Sequence, residues 1–119
     1  MCNNKHMKVI IAGGRDYHNY DTLLEAIKES QFEIATVVSG GAKGVDALGE
    51  RYAIEMNKTL NIYAADWETH GRAAGPIRNR KMAENADALI ALWDGQSRGT
   101  KNMIETATKK GLIVFVKRI

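Results

Sequence analysis

Cysteine is nearly missing from this chain: Cys2 is the one example in 119 residues. With no partner it can close neither an internal disulfide nor a cysteine-cluster metal site, and a reducing cytoplasm is the expected setting. The three histidines, His6, His18 and His70, are scattered without metal-ligand spacing, so no metal is expected. Long apolar runs are absent too. Nothing approaches the roughly 20 residues that span a bilayer. Residues 1–6 (MCNNKH) lead into a strand-like run without the apolar stretch of a secretory signal, so no membrane partner is expected. Excess charge is small: 17 Lys and Arg against 14 Asp and Glu, a formal +3. That permits anionic partners, but total charge speaks to solubility and steering rather than to a site.

What is present is an ordinary globular composition, 45% apolar and 26% charged, in a length that fits one domain over residues 1–119. No linker, repeat or low-complexity segment interrupts it. Five β-rich runs stand at 8–12 (KVIIA), 34–39 (IATVVS), 60–64 (LNIYA), 88–93 (ALIALW) and 112–116 (LIVFV). Most are apolar on both faces, as in a parallel sheet covered by helices on two sides. Four segments with helical periodicity lie between them. The clearest puts Val45, Leu48, Gly49, Tyr52, Ala53 and Met56 on one face. Gly49 costs that helix about 1 kcal/mol against alanine, tolerable if it lets the helix approach a strand closely.

The first helix is expected to begin near Asp21 or Thr22, where Thr22 and Glu25 have capping-box spacing. The third starts at Gly75-Pro76, and the fourth follows Gly99-Thr100 and stops at Gly111. The order β-α-β-α-β-α-β-α-β, with right-handed crossovers between parallel strands, predicts a Rossmann-like three-layer α/β/α fold with a five-stranded parallel sheet and four helices.

In such a sheet the strand-to-helix loops emerge at the carboxyl edge, where open α/β folds bind ligands. The unusual residues of this chain fall in those loops. Gly13, Gly14, Arg15, Asp16 and Tyr17 follow the first strand, and Ser39, Gly40, Gly41, Ala42, Lys43, Gly44 and Asp46 follow the second. A long third loop carries Trp67, Arg72, Arg78, Asn79 and Arg80, and the fourth carries Asp94, Arg98, Gly99, Thr100 and Lys101. Glycines at a strand-helix junction let backbone N–H groups approach a ligand, and a helix N-terminus adds about half a positive charge. Together they form an anion cradle, and arginine grips phosphate in a bidentate geometry. Neither G-x-x-x-x-G-K-[ST] nor G-x-G-x-x-G is present, which argues against a P-loop NTPase and an NAD-dependent dehydrogenase. No cofactor is implied.

With those motifs in view, the whole chain resembles the SLOG superfamily and specifically its small YspA-like (DUF2493) group. GGRDY, SGGAKGVD, the ADW element followed by GRAAGPIRNRKM, and the late GQSRGT stand in that group's order. SGGAKGVD and PIRNRKMAENAD also resemble the nucleotide-fold core of the DNA-processing protein A family, which binds single-stranded DNA. The superfamily includes the LOG phosphoribohydrolases, which cleave a nucleoside monophosphate at its N-glycosidic bond and carry Gly-Gly-x-Gly-Thr-x-x-Glu. Here the stretch from Arg98 to Glu105 puts the acid two positions later, a rotation of roughly 200° on a helix. The resemblance therefore implies recognition of a nucleotide or nucleotide-derived molecule more than catalysis by that route.

Each candidate has an alternative structural use. Gly40, Gly41 and Gly44 could serve only as turn residues, and Arg15 and Arg98 as solvated charges. Positive charge at Arg78 and Arg80, read as first-turn positions of a helix, needs compensation by a bound anion or by pairs to Asp16 or Asp94. Asp46 suits a ribose hydroxyl or plain dipole stabilisation, and Trp67 and Tyr17 suit base stacking or gap filling. Three functions follow. One is binding, or processing, of a nucleotide-derived, phosphate-bearing small molecule. Another is hydrolysis of a nucleoside 5′-monophosphate, for which Asp16, Asp46, Asp94 and Glu105 are the rim acids. The third is single-stranded DNA binding. The shallow rim of so small a domain, together with the dimer-interface sites that the family resemblance implies, also leads to the expectation of a homo-oligomer.

Overall fold

A computed structural model describes residues 7–119; the expectations for Cys2, His6 and the opening segment lie outside the described residues. Five strands, β1 (Met7–Gly13), β2 (Ile34–Ser39), β3 (Thr59–Ile62), β4 (Ala88–Trp93) and β5 (Ile113–Arg118), form one parallel sheet in the order β3-β2-β1-β4-β5. The long helices are α1 (Tyr20–Ser30), α2 (Val45–Glu55), α4 (Ala74–Glu84) and α5 (Arg98–Lys109). A single helical turn, α3 (Trp67–His70), and a 3-10 turn at Gly71–Ala73 precede α4. The fold is the expected Rossmann-like α/β/α arrangement.

Side chains alternate across β1, so Val9 and Ile11 face one layer while Ile10 and Ala12 face the other. The first layer is closed by Leu23, Ala26 and Ile27 of α1 with Val45, Leu48 and Ala53 of α2. Met82 and Ala83 of α4 with Met103 and Ala107 of α5 close the second. The central strand is wholly buried at Val9, Ile10 and Ile11. Each such side chain contributes about 1.5–3 kcal/mol on leaving water.

Several boundaries differ from expectation for local reasons. Asn19, not Thr22, caps α1, its Oδ1 accepting from the Thr22 N–H at 3.2 Å. Helix α5 starts at Arg98 because Ser97 caps it, so Arg98 and Gly99 belong to its first turn. Helix α4 starts at Ala74, which keeps Pro76 in the first turn but moves Arg78 and Arg80 beyond it. Met56 is half exposed, because α2 ends at Glu55 and the chain turns away. At the sheet edge Ile113 and Val116 are exposed, so β5 is not apolar-buried on both faces.

Gly49 holds α2 against β1: a Cβ there would lie 2.9 Å from Cβ of Ile11. Alanine would gain about 1 kcal/mol of helix propensity, but overpacking a filled core costs about 1–3 kcal/mol. Gly49→Ala is therefore expected to lose net stability in urea denaturation. A variant as stable as the parent would mean that α2 can move off the sheet freely.

Candidate functional site

Strand addition reverses direction between β1 and β4, and the loops on either side of that break diverge at the carboxyl edge. A cleft of about 750 Å³ opens there. Ala12, Met82 and Met103 give it an apolar floor, and Gly13, Gly14, Arg15, Asp16 and Tyr17 form one wall. The opposite wall holds Asp94, Ser97, Arg98, Gly99, Thr100 and Asn102, with Trp67, Arg72, Pro76, Arg78 and Asn79 along the side. A second cleft of about 460 Å³ adjoins it, lined by Gly40, Gly41, Ala42, Lys43, Ala64 and Ala65. Arg15, Asp16, Ala42, Trp67 and Arg78 border both.

The β2–α2 loop is held by its own side chains. Ser39 Oγ accepts from the Gly41 N–H at 3.1 Å and donates to Glu50 Oε2 at 2.7 Å. Asp46 Oδ2 accepts from the Ala42 N–H at 3.3 Å, and Val45 N–H donates to the Gly14 carbonyl at 3.1 Å. Gly44 has φ +74°, and a Cβ there would collide with the Gly14 carbonyl and the Arg15 backbone. The glycine-rich stretch expected to offer free amides to an anion thus spends those of Gly41 and Ala42 on its own side chains, and that of Val45 on the first loop. Ser39 and Gly44, named from sequence as ligand contacts, line neither cleft. Ser39 is fully buried beneath its loop.

At the other wall Asp94 Oδ1 accepts from the Gln96 and Ser97 N–H groups, both at 2.8 Å, and Ser97 Oγ accepts from the Thr100 N–H at 3.4 Å. These turns deliver Arg98 and Gly99 to the start of α5, before the first intrahelical N–H bond. Asn79 and Asn102 pair across α4 and α5, Nδ2 donating to Oδ1 at 2.9 Å. Arg78 is braced on two sides: Nη1 donates to the Gly40 carbonyl at 2.7 Å and Nε to Asn79 Oδ1 at 2.9 Å. Burial lowers its pKa from the usual arginine value, while the charge of Asp46 works against that shift. Among the described residues Arg78 forms no ion pair to Asp16 or Asp94; Asp46 supplies the compensating charge instead. Arg15 lies over the half-exposed Trp67 ring, 5.9 Å from its centroid.

Of the loop residues named from sequence as ligand contacts, Gly13, Gly14, Arg15, Asp16, Asp46, Trp67, Arg78, Asn79, Arg98, Gly99 and Thr100 border the larger cleft, as do Tyr17, Arg72 and Asp94. Gly40, Gly41 and Lys43 border only the smaller one. Arg80 and Lys101, which follow Asn79 and Thr100 in the chain, line neither, and Glu105 is exposed and lines neither. Asn102, Met82, Met103 and Ile119 went unnoticed as cleft residues. Met82 and Met103 sit on helical faces whose periodicity announces burial but not a cavity, Asn102 is placed by its bond to Asn79, and Ile119 reaches the rim through its N–H bond to the Trp93 carbonyl at 3.0 Å. Among the described residues no group of His, Cys, Asp and Glu could hold a metal ion, and no helix is long and apolar enough to cross a membrane.

The family model of YspA, cpYpsA-related SLOG proteins matches residues 7–70, more than half of the chain. The chain belongs to this SLOG family. Its relative Gene 61 protein of Mycobacterium phage D29 is 35% identical over 118 residues, covering 91% of this chain and 94% of the phage protein. Among solved structures, DNA processing protein A (DprA) from Streptococcus pneumoniae superimposes with a TM-score of 0.73 at 17% identity. That match covers 94% of this chain and 50% of DprA, so the SLOG chain shares its fold and spans half its length.

Among the described residues of this SLOG protein, Asp46 is the acid whose ionisation is shifted furthest. Burial pushes its carboxyl up to about 6, against the opposing effects of the Ala42 N–H and the Arg78 guanidinium. Glu50 adds to the rise and Arg15 opposes it. The folded state therefore prefers the protonated form more than the unfolded chain does, and stability falls as pH rises from about 4 to 6. The full effect is roughly 3 kcal/mol, at 1.36 kcal/mol per pKa unit. Asp46→Asn is expected to remove this slope, so that its melting temperature gains on the parent between pH 4 and 6.5. Parallel pH profiles for the two proteins would contradict the assignment.

Proposed function

We propose that this chain binds a nucleotide-derived, phosphate-bearing small molecule in the larger cleft. The observation that carries the reading is the convergence of Arg15, Arg78 and Arg98 with the first turn of α5 over an apolar floor. A volume of about 750 Å³ falls within the range of small-molecule sites, roughly 300–1,000 Å³. Phosphate oxygens meet the Arg98 and Gly99 amides, the Thr100 hydroxyl and the arginine side chains; Gly14, where a Cβ would meet nothing within 4 Å, leaves room beside them, whereas Gly13 is packed against Val45 and the Leu92 carbonyl. Asn79 and Asp46 face the sugar hydroxyls, and Tyr17 or Trp67 offers a face for the base. Gly40, Gly41 and Lys43 border the adjoining space.

Hydrolysis of a nucleoside 5′-monophosphate is favoured by one specific feature. Asp46 is a buried acid on the cleft with a pKa near the working range of a proton donor. Asp94 is committed to two backbone amides and held below the usual carboxylate range by them, and Glu105 lies off the cleft. That leaves Asp46 to protonate the departing base and Asp16, as a carboxylate, to stabilise an oxocarbenium-like transition state that water then captures. Single-stranded DNA binding has the least support, because four arginines against three aspartates around the cleft make a weak electrostatic track.

Calorimetric titration with nucleoside mono- and diphosphates is expected to show binding that Arg98→Ala weakens by about tenfold, the worth of one charge-assisted contact. Because Arg98 is exposed, its removal should leave the melting temperature of the free protein nearly unchanged. A flat response across the nucleotide panel overturns the binding reading. Free base released by the parent and lost in Asp46→Asn would establish the hydrolase instead.

A further inference from the structure

The two clefts are joined by a partition that carries both positive charges common to them. Arg15 and Arg78 are the cations that border both spaces. Arg78 is held in the partition from either side, through the Gly40 carbonyl facing the smaller cleft and Asn79 facing the larger. These two bonds use two of its five N–H donors and leave three to meet an anion. Arg15 leans on the Trp67 ring, which also borders both spaces. The lobes differ in character. The larger has apolar Met82 and Met103 with amide side chains of Asn79 and Asn102, whereas the smaller is walled by Gly40, Gly41, Ala42, Ala64 and Ala65 with Lys43 beside them.

We infer that the ligand is bipartite: a nucleotide whose diphosphate carries a second, sugar-sized or larger group. The nucleoside lies in the larger lobe, the diphosphate crosses the partition between Arg15 and Arg78, and the second group fills the smaller lobe. This rests on the nucleotide reading of the larger cleft. A diphosphate places two adjacent negative charges, and two guanidinium groups at the junction match them in number and in bidentate geometry. A mononucleotide would satisfy the larger lobe alone and leave about 460 Å³ beside it unused. Linking two moieties through one group makes the second contact intramolecular, so a bipartite ligand binds more tightly than either piece.

The test is calorimetry on the full chain with three sets of probes carrying each common base. They are the nucleoside 5′-monophosphate, the nucleoside 5′-diphosphate, and the diphosphate esterified to ribose or to a second nucleoside. The esters are expected to bind about tenfold or more tighter than the plain diphosphate, and the better ester distinguishes a sugar from a second nucleoside in the smaller lobe. Ala64 is an exposed residue of that lobe. Ala64→Trp should fill the lobe and bring the esters down to the affinity of the plain diphosphate. Mononucleotide affinity should stay within about twofold, the usual scatter for a site left untouched. Esters that bind no better than the diphosphate, or an Ala64→Trp variant that weakens every probe equally, would overturn the bipartite ligand. Mononucleotide binding in that case leaves the larger-cleft reading standing, while silence from all three sets removes both.

Discussion

Right-handed crossover between parallel strands is the constraint from which the architecture follows. The chain adds β2 and β3 on one side of β1, then returns to add β4 and β5 on the other. With the same hand on both sides of that break, α1 and α2 close one face while α4 and α5 close the opposite one. The loops after β1 and β4 must therefore separate at the carboxyl edge. The cleft is the space they leave, with Ala12 in its floor and Gly13 and Asp94 at the foot of its two walls, where β1 and β4 end.

Polar groups near that edge fall into two populations. Those of the β2–α2 loop are spent inward: the Gly41 and Ala42 amides bond Ser39 and Asp46 within the loop, and the Val45 amide bonds the Gly14 carbonyl and ties the second loop to the first. Those around α5 are directed outward, since Asp94 and Ser97 stabilise the turn and leave Arg98 and Gly99 at the helix start. A buried polar group without a partner is costly, so a glycine-rich loop packed against its neighbour must satisfy itself first. The same economy places Arg78 between two lobes, where bonds to the Gly40 carbonyl and to Asn79 fix its guanidinium in place.

Asp46 sits at the junction of these populations. It caps the Ala42 amide, faces Arg78 and lies almost wholly out of water. Burial outweighs the two stabilising partners and raises its pKa to about 6, so the domain carries an acid whose charge responds to small changes in its surroundings. Clusters of this kind are common at working sites because the local field that disfavours a charge also sensitises it to a ligand.

Much of the fold was legible locally. Runs apolar on both faces specify buried parallel strands, and the Val45, Leu48, Gly49, Ala53 spacing specifies a helix seated on them; both readings need only side-chain period. The loop glycines and arginines were legible as a rim for the same reason, since a β-α alternation sends every such loop to one edge. What tertiary structure decided is which of those residues face open space. Ser39 and Gly44 turn inward because the first loop and Glu50 occupy the volume beside them. Asn102 and Met103 reach the cleft because α5 packs next to α4. Sequence determined the elements, the edge and the chemistry available there. Only the packing of loop on loop could divide that chemistry between holding the protein together and meeting a ligand, because hydrogen-bond donors are allotted by proximity in space rather than along the chain.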